Sequence, residues 1–325
     1  MREPLRSSGA RVGTRLGPYR LDALLGDGGM GEVYQGVDVE NGREVAVKIL
    51  AEERSRDPAM RARFQREWEV MRGITHPNVV ALLDWPEPND GPLHFVMELL
   101  AGETLHERME HEGALALDVV LDVFAQAADG LAAVHAGGIV HRDVKPENVF
   151  LCADPEGTVK ILDFGLARID KSQITGMGTL IGTPSFLAPE QATGDPVDAR
   201  TDIYALGLIL YRALTGVHPF ATPDKVTMLG HQLFSVPPPF GWFVDSVPVA
   251  VERLVRHMLR KLPQDRPSSM AIVAASIRRL ADDTLPPLES PPPPNEDRYG
   301  PLNPLAEALV RNALTKKGFR IPEGG

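Results

Sequence analysis

One short polar segment, residues 141–148, constrains this chain more than any other part of it. It reads His-Arg-Asp-Val-Lys-Pro-Glu-Asn and therefore brings an acid, a base and an amide within a few positions of each other. Asp143 can accept the proton of an attacking hydroxyl group, Lys145 can hold a travelling phosphate group, and Asn148 can ligate a metal ion. This spacing predicts a loop built for phosphoryl transfer.

A second carboxylate follows the short apolar strand predicted at residues 159–162. Asp163 opens the tripeptide Asp-Phe-Gly directly after that strand. Together with segment 141–148, this tripeptide makes the chain resemble the protein kinases. The resemblance implies an α+β fold with two lobes. The N-lobe would be small and β-rich with one key helix, and the C-lobe larger and mainly helical.

A glycine-rich pattern at residues 26–31, Gly-Asp-Gly-Gly-Met-Gly, supports the same resemblance. It lies between two strand-like runs, 19–25 and 32–37, whereas a dinucleotide-binding fingerprint would open a helix. Glycines let the backbone approach phosphate groups without an intervening side chain. A plain hairpin turn is the alternative for the pattern alone. The run Val-Ala-Val-Lys that ends at Lys48, on a β-branched strand, favours a phosphate-binding loop.

Lys48 needs a carboxylate partner, and the next predicted helix offers one. The apolar stripe of that helix is formed at helical spacing by Met60, Phe64 and Met71. Glu67 lies on this stripe, whereas Glu69 is about 200° further round the helix and is expected to face water. A carboxylate on a buried face is costly unless it is paired. The pattern therefore selects Glu67, with an unpaired and partly exposed glutamate as the alternative.

The resemblance implies ATP as the nucleotide and Mg²⁺ as the metal ion, with Mn²⁺ as a possible substitute. Asn148 and Asp163 would ligate the metal, and the adenine would bond to backbone of a hinge at about 98–102, with Met97 at the gatekeeper position. The residues that the resemblance places against the nucleotide are Leu25, Gly26, Asp27, Gly28, Gly29, Met30, Gly31, Val33, Ala46, Lys48, Met97, Glu98, Leu100, Phe150 and Asp163. Four of them would sandwich the base, namely Leu25, Val33, Ala46 and Phe150. Because these four are apolar, they would suit an ordinary core equally well.

The segment between Asp163 and Glu190 is expected to carry regulation. It ends in Gly-Thr-Pro-Ser-Phe-Leu-Ala-Pro-Glu. By resemblance, Thr183 supports Asp143 and Lys145, as in kinases that act on serine and threonine. The same resemblance implies a buried structural pair between Glu190 and a downstream arginine, Arg266. It also implies a brace beneath the catalytic loop, Asp202.

Arg142, directly before Asp143, suggests a switch. Kinases with this arginine commonly need a phosphate on the activation loop to neutralise it and to order the loop. The candidate acceptors, in the order in which we expect phosphorylation, are Thr175, Thr179 and Ser172. The alternative is that these hydroxyl groups only keep the loop soluble.

Charge and composition exclude several other classes of protein. The 325 residues carry a formal net charge of −10, which argues against nucleic acid or an anionic membrane as the main partner. The single cysteine, Cys152, rules out an internal disulfide and suits a reducing compartment. The sequence contains no run of about 18 consecutive apolar residues, so it predicts no membrane span. A cytoplasmic location is therefore expected.

The domain organisation follows from the motifs. We predict a flexible basic arm at 1–18 and a kinase domain at 19–280, with the N-lobe at about 19–98 and the C-lobe at about 103–280. Within the C-lobe, the pattern predicts helices at 114–135, 199–216, 251–262 and 270–280. A proline-rich linker at 281–300 precedes an amphipathic helix at 301–317 and a tail at 318–325. The apolar face of that helix, within 302–317, needs a covering surface, either on the kinase domain or on a partner.

The combined prediction is a bacterial eukaryote-like (Hanks-type) serine/threonine protein kinase. It would transfer the γ-phosphate of ATP to serine and threonine hydroxyls of proteins and would phosphorylate its own activation loop, through a transient homodimer if it acts between copies. Two alternatives stay open. A scaffold of kinase fold without activity would bind partners only, and a small-molecule phosphotransferase of related fold would act on alcohols or amines.

Overall fold

The computed structural model of the protein describes residues 11–28, 31–51, 68–69, 71–85, 92–163, 184–222, 225–244 and 247–281. Several predictions fall outside these ranges. They concern Gly29 and Met30 of the glycine-rich pattern, Glu67 of the predicted helix, the candidate phosphorylation sites Ser172, Thr175 and Thr179, the predicted support residue Thr183, and almost all of the region after 280.

The N-terminal part forms a six-stranded antiparallel sheet with the order β1-β2-β3-β4-β6-β5. The strands are β1 (Arg15–Leu16), β2 (Tyr19–Gly28), β3 (Gly31–Asp38), β4 (Glu44–Leu50), β5 (Leu82–Asp84) and β6 (His94–Glu98). Sequential strands pair through short turns, so the first four strands form a meander. The chain between β4 and β5 includes the residues for which the helix around Glu67 is predicted.

The alternation of side chains along β4 determines which residues lie on each face of this sheet. Val45, Val47 and Ile49 are buried on one face with Tyr34 and Val96 in a small core of their own. Successive side chains of a strand point to opposite faces. Ala46 and Lys48 therefore point to the other face, where Ala46 joins the main core of the molecule. The strand thus places the amine of Lys48 on the side that faces the rest of the chain.

The C-terminal part is mainly helical. Its helices are α1 (Leu105–Glu112), α2 (Leu117–Ala136), α3 (Pro189–Thr193), α4 (Ala199–Thr215), α5 (Lys225–Phe234), α6 (Val249–Met258) and α7 (Met270–Ala281). A three-stranded antiparallel sheet accompanies them, formed by β7 (Gly102–Thr104), β8 (Val149–Ala153) and β9 (Glu156–Ile161). The predicted two-lobed α+β architecture is confirmed, with residues 99–101 between the last strand of the first sheet and β7.

Helix α4 forms the centre of the second lobe. Almost every residue from Thr201 to Thr215 is buried, including Tyr204 and Tyr211 with no exposed surface. Asp198 caps its N-terminus by accepting from the backbone of Arg200 at 2.7 Å, and Gly216 ends it in the left-handed conformation with φ of 74°. Among the described residues, no helix is both long and apolar enough to cross a membrane.

Two helices depart from their predicted limits because of tertiary contacts. Helix α2 begins at Leu117 and not at the predicted Ala114, because the backbone nitrogen of Leu115 bonds to the carbonyl of Ala213 in α4 at 2.8 Å. Helix α6 runs from Val249 to Met258, whereas residues 251–262 were predicted. Helix α5 was not predicted at all.

Candidate active site

Lys48 and Asp163 form an ion pair that joins the two lobes. Lys48 lies in β4 and is 7% exposed, and its Nζ contacts Oδ1 of Asp163, which follows β9. Asp163 has a φ of 47°, in the left-handed region that residues other than glycine rarely adopt. The structure therefore brings together a cation from the first lobe and a carboxylate from the second, both predicted from sequence to serve the phosphate groups.

Asp143 and Lys145 lie side by side on the catalytic loop, residues 141–148. Nζ of Lys145 contacts Oδ2 of Asp143 at 3.0 Å. Asp143 is 5% exposed, whereas the side chain of Lys145 is 30% exposed. The pair therefore places a carboxylate, which can accept a proton, beside a positive charge that reaches towards solvent.

Asp202, in the first turn of α4, holds the backbone of this loop. Its carboxylate accepts hydrogen bonds from the backbone nitrogens of His141 and Arg142, both at 2.8 Å, and it lies 2.7 Å from Nε2 of His135 in α2. Arg142 has a φ of 64°, a conformation that costs about 1–3 kcal/mol in a residue other than glycine. The bonds to Asp202 offset this strain, so the predicted brace is confirmed.

Asn148 lies in a 3₁₀ turn, Pro146–Asn148, that leads directly into β8. Its Nδ2 donates to the backbone carbonyl of Asp143 at 2.8 Å, which orients the amide so that Oδ1 is the atom left for a cation. The backbone nitrogen of Leu162 donates to the carbonyl of Asn148 at 2.9 Å. This bond brings Asp163, the next residue, beside Asn148.

Asn148 and Asp163 fit a hard divalent cation. They offer amide and carboxylate oxygens, the donors that such cations prefer. Within the described ranges, no group of three or more His, Cys, Asp and Glu side chains could enclose a metal by itself. Mg²⁺ is commonly held by one or two protein oxygens plus substrate phosphates and water. The donor pair is therefore suited to a metal that arrives with a nucleotide.

The glycine-rich loop is a hairpin in which Gly28 pairs with Gly31 across the turn. A Cβ atom on Gly31 would lie 2.0 Å from the carbonyl oxygen of Ile49, and the residue has a φ of 134°. Strand packing thus requires this glycine whether or not phosphate binds. At Gly26, a Cβ atom would meet nothing within 4 Å, so that position leaves open space beside the backbone.

A cleft of about 490 Å³ opens beside residues 99–101. Its lining residues are Leu25, Gln35, Arg43, Glu44, Glu98, Leu99, Leu100 and Ala101. Leu25 is 52% exposed at this cleft, whereas Ala46 and its cross-strand partner Met97 are buried. The remaining predicted base contacts, Val33 and Phe150, are half-buried.

Three polar residues of this lining were not predicted from the sequence, namely Gln35, Arg43 and Glu44. The available signal was the strand alternation, because Glu44 stands two positions before Ala46 in β4 and Gln35 pairs with Ala46 from β3. Both therefore share the face that carries Ala46 and Lys48. Gln35 and Glu44 also contact each other at 3.4 Å.

The side chain of Glu98 has a role that the sequence did not suggest. Its Oε1 accepts from the backbone nitrogen of Ala81 and from Nζ of Lys160, both at 2.7 Å. Lys160 lies in β9, so the ion pair connects the last strand of the first sheet with the second lobe. Sequence reasoning assigned Glu98 only a backbone contact with the nucleotide.

Glu190 and Arg266 form the predicted pair, and it is fully internal. Nη1 and Nη2 of Arg266 donate to the carboxylate of Glu190, each at 2.8 Å, and Thr201 donates to the same carboxylate at 2.7 Å. Burial alone would raise the pKa of Glu190, but the hydrogen bonds and the charge of Arg266 outweigh burial and lower that pKa below its ordinary value of 4.5.

The structure also describes Cys152 and the residues that follow Glu67 in the chain. Cys152 is buried and unbonded, and burial raises the pKa of its thiol. Glu69 is exposed and Met71 is buried, as the helical stripe predicted. Trp68, which the stripe analysis did not include, packs against Trp85 and Phe95 with ring centroids 5.4 and 6.2 Å away.

Comparison with known proteins agrees with this geometry. The family model described as protein kinase domain matches residues 19–277. The chain is 36% identical over 273 residues to the serine/threonine-protein kinase pkn3 of Myxococcus xanthus, which covers 81% of this chain and 50% of that protein. It is 37% identical over 290 residues to the serine/threonine-protein kinase PknA of Mycobacterium tuberculosis, which covers 87% of this chain and 66% of that protein.

A solved structure shows the same fold. The kinase domain of Mycobacterium tuberculosis PknI superposes with a TM-score of 0.65 at 28% sequence identity, over 82% of this chain and 98% of that domain. The chain spans about half to two thirds of the length of the two curated relatives. The predicted resemblance is confirmed: the chain belongs to the protein kinase family, and the relatives it matches are bacterial serine/threonine kinases.

Proposed function

We propose that this chain transfers the γ-phosphate of ATP to serine and threonine hydroxyls of proteins. The observation that carries the proposal is the convergence of four polar side chains from both lobes: Lys48 paired with Asp163, and Asp143 paired with Lys145 at 3.0 Å. Members of the family use ATP and a divalent metal ion generally. Positioning and electrostatic stabilisation supply most of the catalysis in such a reaction.

In this mechanism Asp143 orients the acceptor hydroxyl and accepts its proton as the new oxygen–phosphorus bond forms. The bond between the γ-phosphorus and the bridging oxygen to the β-phosphate breaks, and ADP leaves. Lys145, beside it, offsets negative charge on the group in transfer. Lys48 aligns the α- and β-phosphates, and Glu67 holds Lys48 in place. Thr183 supports Asp143 and Lys145. Glu67 is assigned from the apolar stripe of its predicted helix, and Thr183 is assigned by resemblance.

Asn148 and Asp163 hold the metal ion, which we propose is Mg²⁺, with Mn²⁺ as a substitute. When bound, the ion neutralises charge on the phosphate oxygens. The support for this assignment is the orientation of the Asn148 amide by its bond to Asp143 and the ion pair of Asp163 with Lys48. The adenine ring would lie between Leu25, Val33, Ala46 and Phe150, beside the backbone of Glu98 and Leu100.

Regulation by phosphorylation of the activation loop is part of the proposal. The buried Nε of Arg142 has no hydrogen-bond partner in the part of the chain that the structure describes. A buried donor without a partner is costly, and a phosphate group offers strong acceptors for an arginine. We therefore propose that a phosphate on Thr175, Thr179 or Ser172 pairs with Arg142, after transfer within a transient homodimer.

The experiment that tests the function compares acceptors. The chain is incubated with ATP labelled at the γ-position and magnesium, together with a myelin-type basic protein, with small alcohols or with small amines. We expect label on serine and threonine of the protein and none on the small molecules. Label on the small molecules alone would identify a small-molecule phosphotransferase, and no transfer at all, with ATP bound, would identify a binding scaffold.

A further inference from the structure

The backbone carbonyl of Ser185 receives two side-chain hydrogen bonds from separate elements. Nε2 of His218, in the loop after α4, lies 2.6 Å from this oxygen, and Nε2 of Gln232, in α5, donates to it at 2.9 Å. Ser185 lies in the 3₁₀ turn Pro184–Phe186, directly after position 183. A carbonyl can accept two hydrogen bonds, so both acceptor positions of this oxygen are used to fix one turn.

The bonds of His218 define its tautomer. The backbone nitrogen of Phe220 lies 3.1 Å from Nδ1 of His218, and a backbone nitrogen can only donate. Nδ1 is therefore the acceptor, and the hydrogen of a neutral imidazole must be on Nε2, directed at Ser185. The ring of Phe186 packs edge-on against the imidazole, with centroids 5.5 Å apart at 78°. His218 thus holds the turn through both a hydrogen bond and a ring contact.

Gln232 is held in place by a buried lysine. Nζ of Lys261 donates to the carbonyl of Gln232 at 2.8 Å and to that of His231 at 3.4 Å, at the last turn of α5. The carbonyl groups at the end of a helix lack intrahelical donors, so these bonds fix the end of α5. The same Nζ lies 4.3 Å from the ring centroid of Phe220, two residues after His218 in the chain. One lysine therefore supports the segments that supply both donors to Ser185.

The other side of the turn is tied to the catalytic loop. Nε2 of Gln191, in α3, donates to the carbonyl of Arg142 at 2.9 Å, while its Oε1 accepts from the backbone nitrogen of Ala188 at 3.1 Å. Arg142 immediately precedes Asp143. The backbone of 184–188 is therefore clamped between the residue beside Asp143 and the donors on His218 and Gln232.

We propose that His218 and Gln232 are positioning residues for the polypeptide acceptor, which fix the turn Pro184–Phe186 as a wall of the acceptor site next to Asp143. This inference rests on the proposed function, because it specifies how that function binds its protein substrate. Neither residue belongs to β4, to the glycine-rich hairpin or to segment 98–101, which carry the proposed nucleotide contacts. Substitution of either residue should therefore weaken binding of the protein acceptor and leave binding of the nucleotide unchanged.

The test compares Michaelis constants for the two substrates. His218→Phe keeps a ring against Phe186 but removes the donor, and Gln232→Met removes the other donor at similar volume. With a myelin-type basic protein as the probe, each variant should raise the KM for the protein about threefold to tenfold, the range expected for one lost hydrogen bond. The KM for ATP, the affinity for ATP measured by calorimetry and the thermal midpoint should stay close to those of the unsubstituted chain.

Two controls sharpen the result. His218→Gln retains an amide donor and should restore most of the affinity for the protein acceptor. His111→Phe makes the same histidine-to-ring change on an exposed side chain of α1 and should alter neither constant.

Three outcomes would overturn the proposal. They are an unchanged KM for the protein in both donor variants, a parallel loss of ATP binding or of folding in both, and a failure of His218→Gln to differ from His218→Phe. Failure of the proposed function itself would be visible separately, as absence of transfer by the unsubstituted chain.

Discussion

The backbone and the side chain of Arg142 are in very different situations. Hydrogen bonds to Asp202 and from Gln191 fix its backbone in the left-handed region. Its buried Nε, in contrast, has no hydrogen-bond partner among the described residues. A fixed backbone combined with this unpaired Nε donor, on the residue before Asp143, is an arrangement that an added phosphate group would complete.

The first prediction follows from this residue. On incubation with ATP and magnesium, the chain should phosphorylate itself on the activation loop, on Thr175 first, then on Thr179 and Ser172. Thr175→Ala should lower activity towards a protein acceptor, because Arg142 loses its strongest prospective partner. Mass spectrometry of the treated protein locates the phosphate. Phosphate confined to the two termini, together with full activity of Thr175→Ala, would remove this switch from the account.

At the residue scale, sequence identified groups that lie in short motifs and missed groups that act through distant contacts. Asp143, Lys145 and Asn148 could be predicted because neighbours in sequence carry their chemistry. His218 and Gln232 could not, since their partner is a backbone oxygen on another element and no local pattern marks it. Residues 164–183 are not described, so the roles of Thr183 and of the phosphorylation sites stay predictions.

At the scale of elements, strands were easier to predict than the ends of helices. Alternation along β4 predicts which side chains share a face, and the structure follows it from Val45 to Lys48. Helix α6 ends early because the guanidinium of Arg266 bonds to the carbonyls of Arg260 at 2.7 Å and Lys261 at 2.9 Å. This helix end depends on a contact that forms only in the folded protein. A prediction from helical periodicity alone therefore extends the helix too far along the chain.

The second prediction concerns the predicted helix around Glu67, and it tests which face of that helix is buried. Glu67→Gln should reduce phosphoryl transfer strongly, because it removes the charge assigned to hold Lys48. Glu69→Gln is the matched control on the same helix and should change little, since Glu69 is exposed. Initial rates with a protein acceptor give the comparison. Equal losses in the two variants would show that the assignment of the helix face is wrong.

At the scale of the whole molecule, ion pairs besides that of Lys48 with Asp163 connect distant parts of the chain. Glu98 and Lys160 link the first sheet to β9, and Glu190 and Arg266 link α3 to the segment after α6. The second pair has 4% and 0% exposed side chains. Removing one partner of a buried pair leaves an uncompensated charge and typically costs about 3–5 kcal/mol.

The third prediction concerns this buried pair and acid. The pKa of Glu190 is lowered in the folded protein, so its contribution to stability is present above the ordinary value of 4.5 and is lost as the pH falls through the folded pKa. Glu190→Gln should therefore reduce the free energy of unfolding by about 3 kcal/mol at neutral pH. The difference from the unsubstituted chain should shrink as the pH drops below 4.5.

Denaturant unfolding at a series of pH values measures this difference. Glu156→Gln, on an exposed residue of β9, is the control and should show no such dependence on pH. A difference for Glu190→Gln that stays constant through the acid range would mean that the carboxylate charge does not stabilise the fold.

The proposed mechanism depends on Asp143 as the group that accepts the proton of the acceptor hydroxyl. The most direct measurement is single-turnover transfer of labelled γ-phosphate to a basic protein by the unsubstituted chain, by Asp143→Asn and by the exposed control Asp118→Asn. We predict label on serine and threonine and a fall of about 10²–10⁴-fold in Asp143→Asn, the range for loss of a general base. ATP affinity and folding should be retained, and Asp118→Asn should behave as the unsubstituted chain does. Near-normal turnover by a folded Asp143→Asn variant would show that Asp143 is not the group that accepts this proton.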